Sequence, residues 1–132
     1  MRIVSETVTV SRDAETVFAF LKNLENLVQL LPQDKISDWQ ATEQQCSFRV
    51  QNATTIELVR ISDTAFTLIT MESGPKSPFP FTLYVHIQPQ DTTCTGYLEF
   101  DGKVNPFLKM MVERPLTNLF NHMALRLKEV LA

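Results

Sequence analysis

Glycine is scarce in this chain: Gly74, Gly96 and Gly102 are the only ones, and they are scattered. That excludes a glycine-rich loop whose backbone N–H groups cradle phosphate. The two cysteines, Cys46 and Cys94, are too few for a disulfide framework and lack the paired spacing of a zinc site. Neither has the basic flank and helix N-terminus that would make a reactive thiolate, so both read as small packed residues. Histidine is equally sparse. His86 and His122 have no partner at i+4 and no neighbouring His, Cys or Asp cluster, so no metal and no cofactor are expected. A Gly-x-Ser-x-Gly elbow is missing as well. No apolar run approaches the roughly 20 residues of a membrane span, so stable membrane insertion is not expected. The opening MRIVSETVTV alternates and carries no apolar signal region. With reduced thiols, this gives the expectation of a cytoplasmic protein. There is no basic run, and the net charge is −3 with a pI of about 5.3, so nucleic acid is not an expected partner.

What is present suffices for one domain spanning residues 1–132. A chain of this length buries about two-thirds of its surface, enough for a core without staples. The longest pattern is at the C-terminal end, where Asn105 reads as an N-cap and Pro106 as the first residue of a helix running to Leu131. At 1.5 Å per residue that helix is roughly 39 Å long, enough to cross the domain. Leu116, Leu119, Phe120, Met123, Leu127, Val130 and Leu131 share one face. Phe107, Leu108, Met111 and Val112 point about 120° away on an ideal wheel. The change falls at Pro115, where a kink or break is expected. Two readings stand side by side. Either the first half presents Phe107, Met110 and Met111 to a cavity, or it packs on another part of the same core.

From the start, Ile3 to Val10 alternates as a strand with Val4, Val8 and Val10 on one face. Ser11 caps a helix with the stripe Val17, Phe18, Leu21 and Leu24, and Asn23 caps a second short helix that Pro32 ends. The period then changes from 3.6 to 2. Strands are expected at Ile36–Ala41, around Cys46–Val50, at Thr54–Ile61, at Ala65–Glu72, around Phe81–Ile87 and around Leu98–Val104. The inward face of the Thr54–Ile61 strand is open between Ile56 with Leu58 and Val59 with Ile61. Asn52–Ala53, Ser62–Asp63 and Gln90–Thr92 have hairpin lengths, whereas Ser73–Pro80 is a stiff loop with three prolines and a glycine. A sheet with one apolar face needs one cover, and only the last helix is large enough. The expected fold class is α+β, with seven strands in a curved antiparallel sheet around the C-terminal helix and two short helices between strands 1 and 2.

The opening VTVSRDAETVFAFLKNLENLVQLLP and the closing PFLKMMVERPLTNLFNHMALRLKEVL resemble the START-like superfamily, also called SRPBCC or polyketide cyclase/lipid-transport-like, with its helix-grip fold. The resemblance covers the whole chain. It implies a small apolar or amphipathic ligand held between sheet and long helix. Loops at Asn52–Ala53, Ser73–Pro80 and Lys103–Phe107 would frame the mouth. It also implies that the strands carrying Cys46 and Cys94 are not neighbours, so no disulfide is expected.

The candidate lining is Phe107, Met110 and Met111 from the helix with Phe48, Phe79 and Phe81. Leu83, Leu98 and Phe100 complete it from the later strands. Arg60 and Arg114 are candidates to meet a ligand carboxylate, against the plainer reading that each reaches solvent. Tyr84, His86 and Glu72 are the remaining ionisable candidates, but alternation sends most of them outward, so no catalytic residue is assigned. Three functions follow. The first is binding, transport or sensing of a small apolar or amphipathic molecule. The second is a cyclase- or dehydratase-type enzyme using the same cavity. The third is a protein-interaction module with a vestigial cavity. The sequence leaves the oligomeric state open.

Overall fold

The structure is a computed structural model that describes residues 1–51 and 53–132. Two three-residue strands open the chain, β1 (Arg2–Val4) and β2 (Val8–Val10). They are followed by α1 (Ala14–Lys22) and a 3-10 helix (Leu24–Leu30). Then come β3 (Ile36–Ala41), β4 (Gln45–Val50), β5 (Thr55–Thr64), β6 (Leu68–Ser73), β7 (Phe81–Gln90) and β8 (Thr93–Gly102). The long helix α2 (Pro106–Val130) closes the chain. All pairings are antiparallel, and the strand order is β1-β8-β7-β6-β5-β4-β3, with β2 also on β8. No helix is long and apolar enough to cross a membrane among the described residues.

The eighth strand arises because the expected first strand is broken in two. Val4 pairs with Glu99 but Val8 pairs with Gly96, so one extra residue sits between them. Ser5 makes this bulge cheap. Its N–H donates to the Leu98 carbonyl at 2.9 Å, and its Oγ accepts the Leu98 N–H at 2.8 Å. A one-residue bulge reverses which side chains face the core. Ile3, Val8 and Val10 are therefore buried while Val4 is exposed, which corrects the single face expected for Val4, Val8 and Val10.

Other boundaries move for similar local reasons. The cap of α1 is Asp13, not Ser11: its carboxylate accepts the Thr16 N–H at 2.9 Å. Asn23 caps the second helix as expected, accepting the Glu25 N–H at 3.1 Å. The turn expected at Ser62–Asp63 lies inside β5, whose register to β6 shifts between Arg60 and Ser62. The chain turns instead at Phe66, which adopts a positive φ of 68° and packs edge-on against Phe18. Ile56 and Leu58 face inward, and Ile61 is exposed. Of the Asn52–Ala53 turn, Asn52 lies outside the described residues.

The helix α2 continues through Pro115 without a break. It lies against β1, β2, β8 and the 3-10 helix. Its inward stripe is continuous: Leu108 packs against the core, and Val112, Leu116, Leu119, Phe120, Met123 and Leu127 are buried in it. The expected change of face at Pro115 is thus corrected. Leu108 and Val112 carry the core stripe forward, and Phe107 and Met111 lie on the other side of the rod. Asn121 ties the helix to the β1–β2 break by accepting the Glu6 N–H at 2.8 Å.

Candidate functional site

The space between sheet and helix is nearly full. Phe81 and Phe100 lie with ring centroids 4.8 Å apart, Phe79 stands 6.0 Å from Phe81, and Phe120 on α2 stands 5.4 Å from Phe100. On β4, Phe48 stacks with Trp39 at 6.1 Å. These residues, expected to line a ligand cavity, interlock as core. The space left between them is about 30 Å³, walled by apolar side chains that include Leu21, Leu30, Leu83, Leu98 and Met123. Such a volume has room for about two waters, and an apolar void of this kind stays dry. Of the expected lining, only Leu83 and Leu98 touch it.

The helix residues expected to meet a cavity face outward. Phe107 is 71% exposed, Met110 85% and Met111 50%. Arg60 does turn inward with Ile56 and Leu58, but its guanidinium donates to the Lys22 carbonyl at the end of α1. There it closes an orphan C-terminal carbonyl and favours the negative end of the helix dipole.

A larger concavity opens to one side. It is a groove of about 500 Å³, floored by Pro32, Asp34 and Lys35 after the 3-10 helix and by Val50 and Gln51 at the end of β4. The facing wall is α2, which contributes Arg114, Pro115, Asn118, Leu119 and His122. The floor is held by backbone: Lys35 N–H donates to the Pro32 carbonyl and Gln51 N–H to the Lys35 carbonyl, both at 2.9 Å. The wall is shaped by Pro115, which has no N–H to give the Met111 carbonyl one turn earlier. The volume lies in the range of small-molecule sites, about 300–1,000 Å³. Lys35 and Arg114 form no ion pair among the described residues, and Asp34 is the one carboxylate in the lining. Arg114 is thus the one residue of the expected set that the groove contains. The others are Asp34, Lys35, Asn118 and His122 with their apolar neighbours. Sequence reasoning missed this assembly, although His122 lies eleven residues, about three turns, after Met111 and so on the same side of the helix.

The ionisable residues weighed for catalysis are elsewhere. Tyr84, His86, Tyr97 and Glu99 share the outer face of β7 and β8, opposite the core. His86 stacks on Tyr97 at 4.5 Å, and its Nε2 lies 2.9 Å from Glu99, which also accepts from Arg2. Those two bonds, His86 first and then Arg2, hold the Glu99 carboxyl below its ordinary range. Glu72 is exposed. Cys46 and Cys94 are buried and free, on strands that do not pair. Burial, with the charge of Glu57, pushes the Cys46 thiol up to about 12. Burial and then Asp13 raise that of Cys94. Both are inert thiols near neutral pH.

An antiparallel sheet closed over one long helix, with a helical pair at one end and a groove opening beside that pair, defines a START-like domain. The chain belongs to the polyketide cyclase / dehydrase and lipid transport family, whose model matches residues 1–132. Solved structures agree on the fold. A START superfamily protein from Mycobacterium smegmatis is 14% identical and superposes with a TM-score of 0.69 over 98% of this chain and 96% of its own. Norcoclaurine synthase from Thalictrum flavum is 14% identical with a TM-score of 0.70, covering 98% of this chain and 86% of its own. The protein XoxI from Bacillus cereus is 13% identical with a TM-score of 0.68, covering 98% and 94%. At such identities the likeness concerns architecture only. No curated protein sequence matches the chain.

Proposed function

We propose that this domain binds a small amphipathic molecule in the lateral groove between the helical pair, the end of β4 and the middle of α2. The observation that carries this reading is the contrast of volumes: about 500 Å³ beside the helix against about 30 Å³ beneath it. The groove mixes apolar walls from Pro32, Val50, Pro115 and Leu119 with polar groups from both sides, as sites for amphipathic ligands do. Binding takes place on the outside of a filled core, and the family's inter-layer space serves as packing.

A second reading, a protein-interaction module, is favoured by one observation. Phe107, Met110 and Met111 form an exposed apolar cluster on the front of α2. An enzyme of the cyclase or dehydratase type is the remaining alternative. Norcoclaurine synthase shares the architecture and has been solved with dopamine and hydroxybenzaldehyde. In this chain, however, Tyr84, His86 and Glu72 lie outside the groove.

Native mass spectrometry on freshly purified protein separates these readings. The expected result is added mass of small-molecule size that disappears in Asn118→Trp, which fills the groove from an exposed helix position. Added mass retained by Asn118→Trp would place the ligand elsewhere. A stoichiometric protein companion with no small-molecule mass would favour the interaction module.

A further inference from the structure

The groove and the exposed apolar cluster are parts of one surface, and together they define the ligand's chemistry. Phe107, Met111, Arg114, Asn118 and His122 follow one another at helical spacing, so they form one stripe along α2. The stripe runs roughly 22 Å from Phe107 to His122. It changes character along its length, apolar at Phe107 and Met111 and polar from Arg114 onward. The polar half is the groove wall, where Arg114 and, across the gap, Lys35 have no counter-ion among the described residues. Two cations against the single carboxylate of Asp34 leave the groove short of negative charge.

We infer that the occupant is a free, monomeric anionic amphiphile, an inference that rests on the groove being the binding site. Its carboxylate-, sulfate- or phosphate-type head sits among Lys35, Arg114 and His122. Its apolar chain runs back along α2 over Met111 and Phe107. Arg114 supplies the forked donor geometry that matches an oxyanion, and Lys35 a mobile point charge. The tail lies on the surface because the void of about 30 Å³ between sheet and helix is too small for a chain. Methionine and phenylalanine side chains that are otherwise in water gain by being covered. A bilayer is the poorer source of this chemistry. The chain is net acidic, and Lys109, beside the apolar cluster, already faces Glu113 at 3.8 Å. Anionic membrane recognition needs several clustered unpaired cations.

The test uses amide NMR spectra of the whole protein titrated with dodecanoate, dodecanol and dodecyltrimethylammonium, each below its micelle concentration. Dodecanoate is expected to shift amides of residues 34–35 and 107–122 saturably, and the cationic amphiphile is not. Arg114→Glu with Lys35→Glu is expected to weaken dodecanoate by about tenfold or more. Phe107→Ser with Met111→Ser is expected to weaken it by a similar factor while acetate binding at the head site is unchanged. All four positions are exposed, so the variants are expected to fold. Equal binding of all three amphiphiles, indifferent to the charge reversal, overturns the anionic assignment and leaves the groove reading standing. Shifts confined to amides around Leu30, Leu98 and Met123 overturn both. Binding to phosphatidylserine vesicles without binding of monomeric dodecanoate overturns the free-amphiphile assignment.

Discussion

Glu99 accepts hydrogen bonds from His86 and Arg2 at once, on a sheet face open to water. Its folded pKa therefore lies below its unfolded value. A carboxyl of this kind contributes stability that is fully present above the unfolded pKa and is lost as pH falls through the folded one. The window lies below the ordinary glutamate range. Between about pH 5 and about pH 3, below the ordinary histidine range, the urea midpoint of the wild-type protein is expected to fall further than that of Glu99→Gln. Asp13 is lowered by its Thr16 contacts but is common to both proteins, so the difference isolates Glu99. Parallel falls would mean that the His86–Glu99–Arg2 cluster adds nothing to acid stability. Arg60 makes the complementary case on the inner side. Its contact with the Lys22 carbonyl is made by a half-buried side chain, and Arg60→Met leaves that carbonyl without its donor. A loss of about 1–3 kcal/mol in equilibrium urea unfolding is expected. No loss would show that water replaces the guanidinium freely.

Among the elements, α2 shows best what an apolar pattern does and does not reveal. Its existence, its Asn105 cap, its Pro106 start and its core stripe from Leu116 to Leu127 were legible, because spacing and cap chemistry are local. The direction of its first half was not. A wheel counts Phe107 and Met111 as apolar but cannot tell that Leu108 and Val112 take the core while those two stay in water. The split of the first strand was hidden for a similar reason, since one serine hydroxyl bonding a distant Leu98 N–H decides it. Pro115 sits within an unbroken helix and leaves the Met111 carbonyl without an intrahelical donor. Replacing it with alanine restores that bond, at a loss of the proline's stiffening of the unfolded chain. Pro115→Ala is expected to stabilise the fold by about 1–2 kcal/mol in urea unfolding. Destabilisation would mean that the pyrrolidine ring's own packing outweighs the missing hydrogen bond.

At the scale of the molecule, the architecture followed from the order of periods: one alternating stretch, two short helices, a long alternating region and a final helix. The candidate site did not follow in the same way. Its groove gathers Pro32 to Lys35, Val50 with Gln51, and one side of α2, which are far apart in the chain. No local pattern records that they converge. Whether the space between the layers is open depends on how the rings of Phe79, Phe81, Phe100 and Phe120 interlock. Alternation says which face is apolar and nothing about that fit. The family resemblance supplied the expectation of a cavity, and the aromatic side chains of this member occupy it.

The strand order pairs β1 and β2 with β8, so the first strands of this domain to be made dock on its last-made strand. During synthesis on the ribosome, the opening strands have no partner until residues near Gly102 have left the exit tunnel, while the hairpins from β3 to β7 already have theirs. Closure of the sheet edge is thereby deferred until β8 has emerged, and a nascent chain stalled before β8 exposes Val8 and Val10 as unpaired edge.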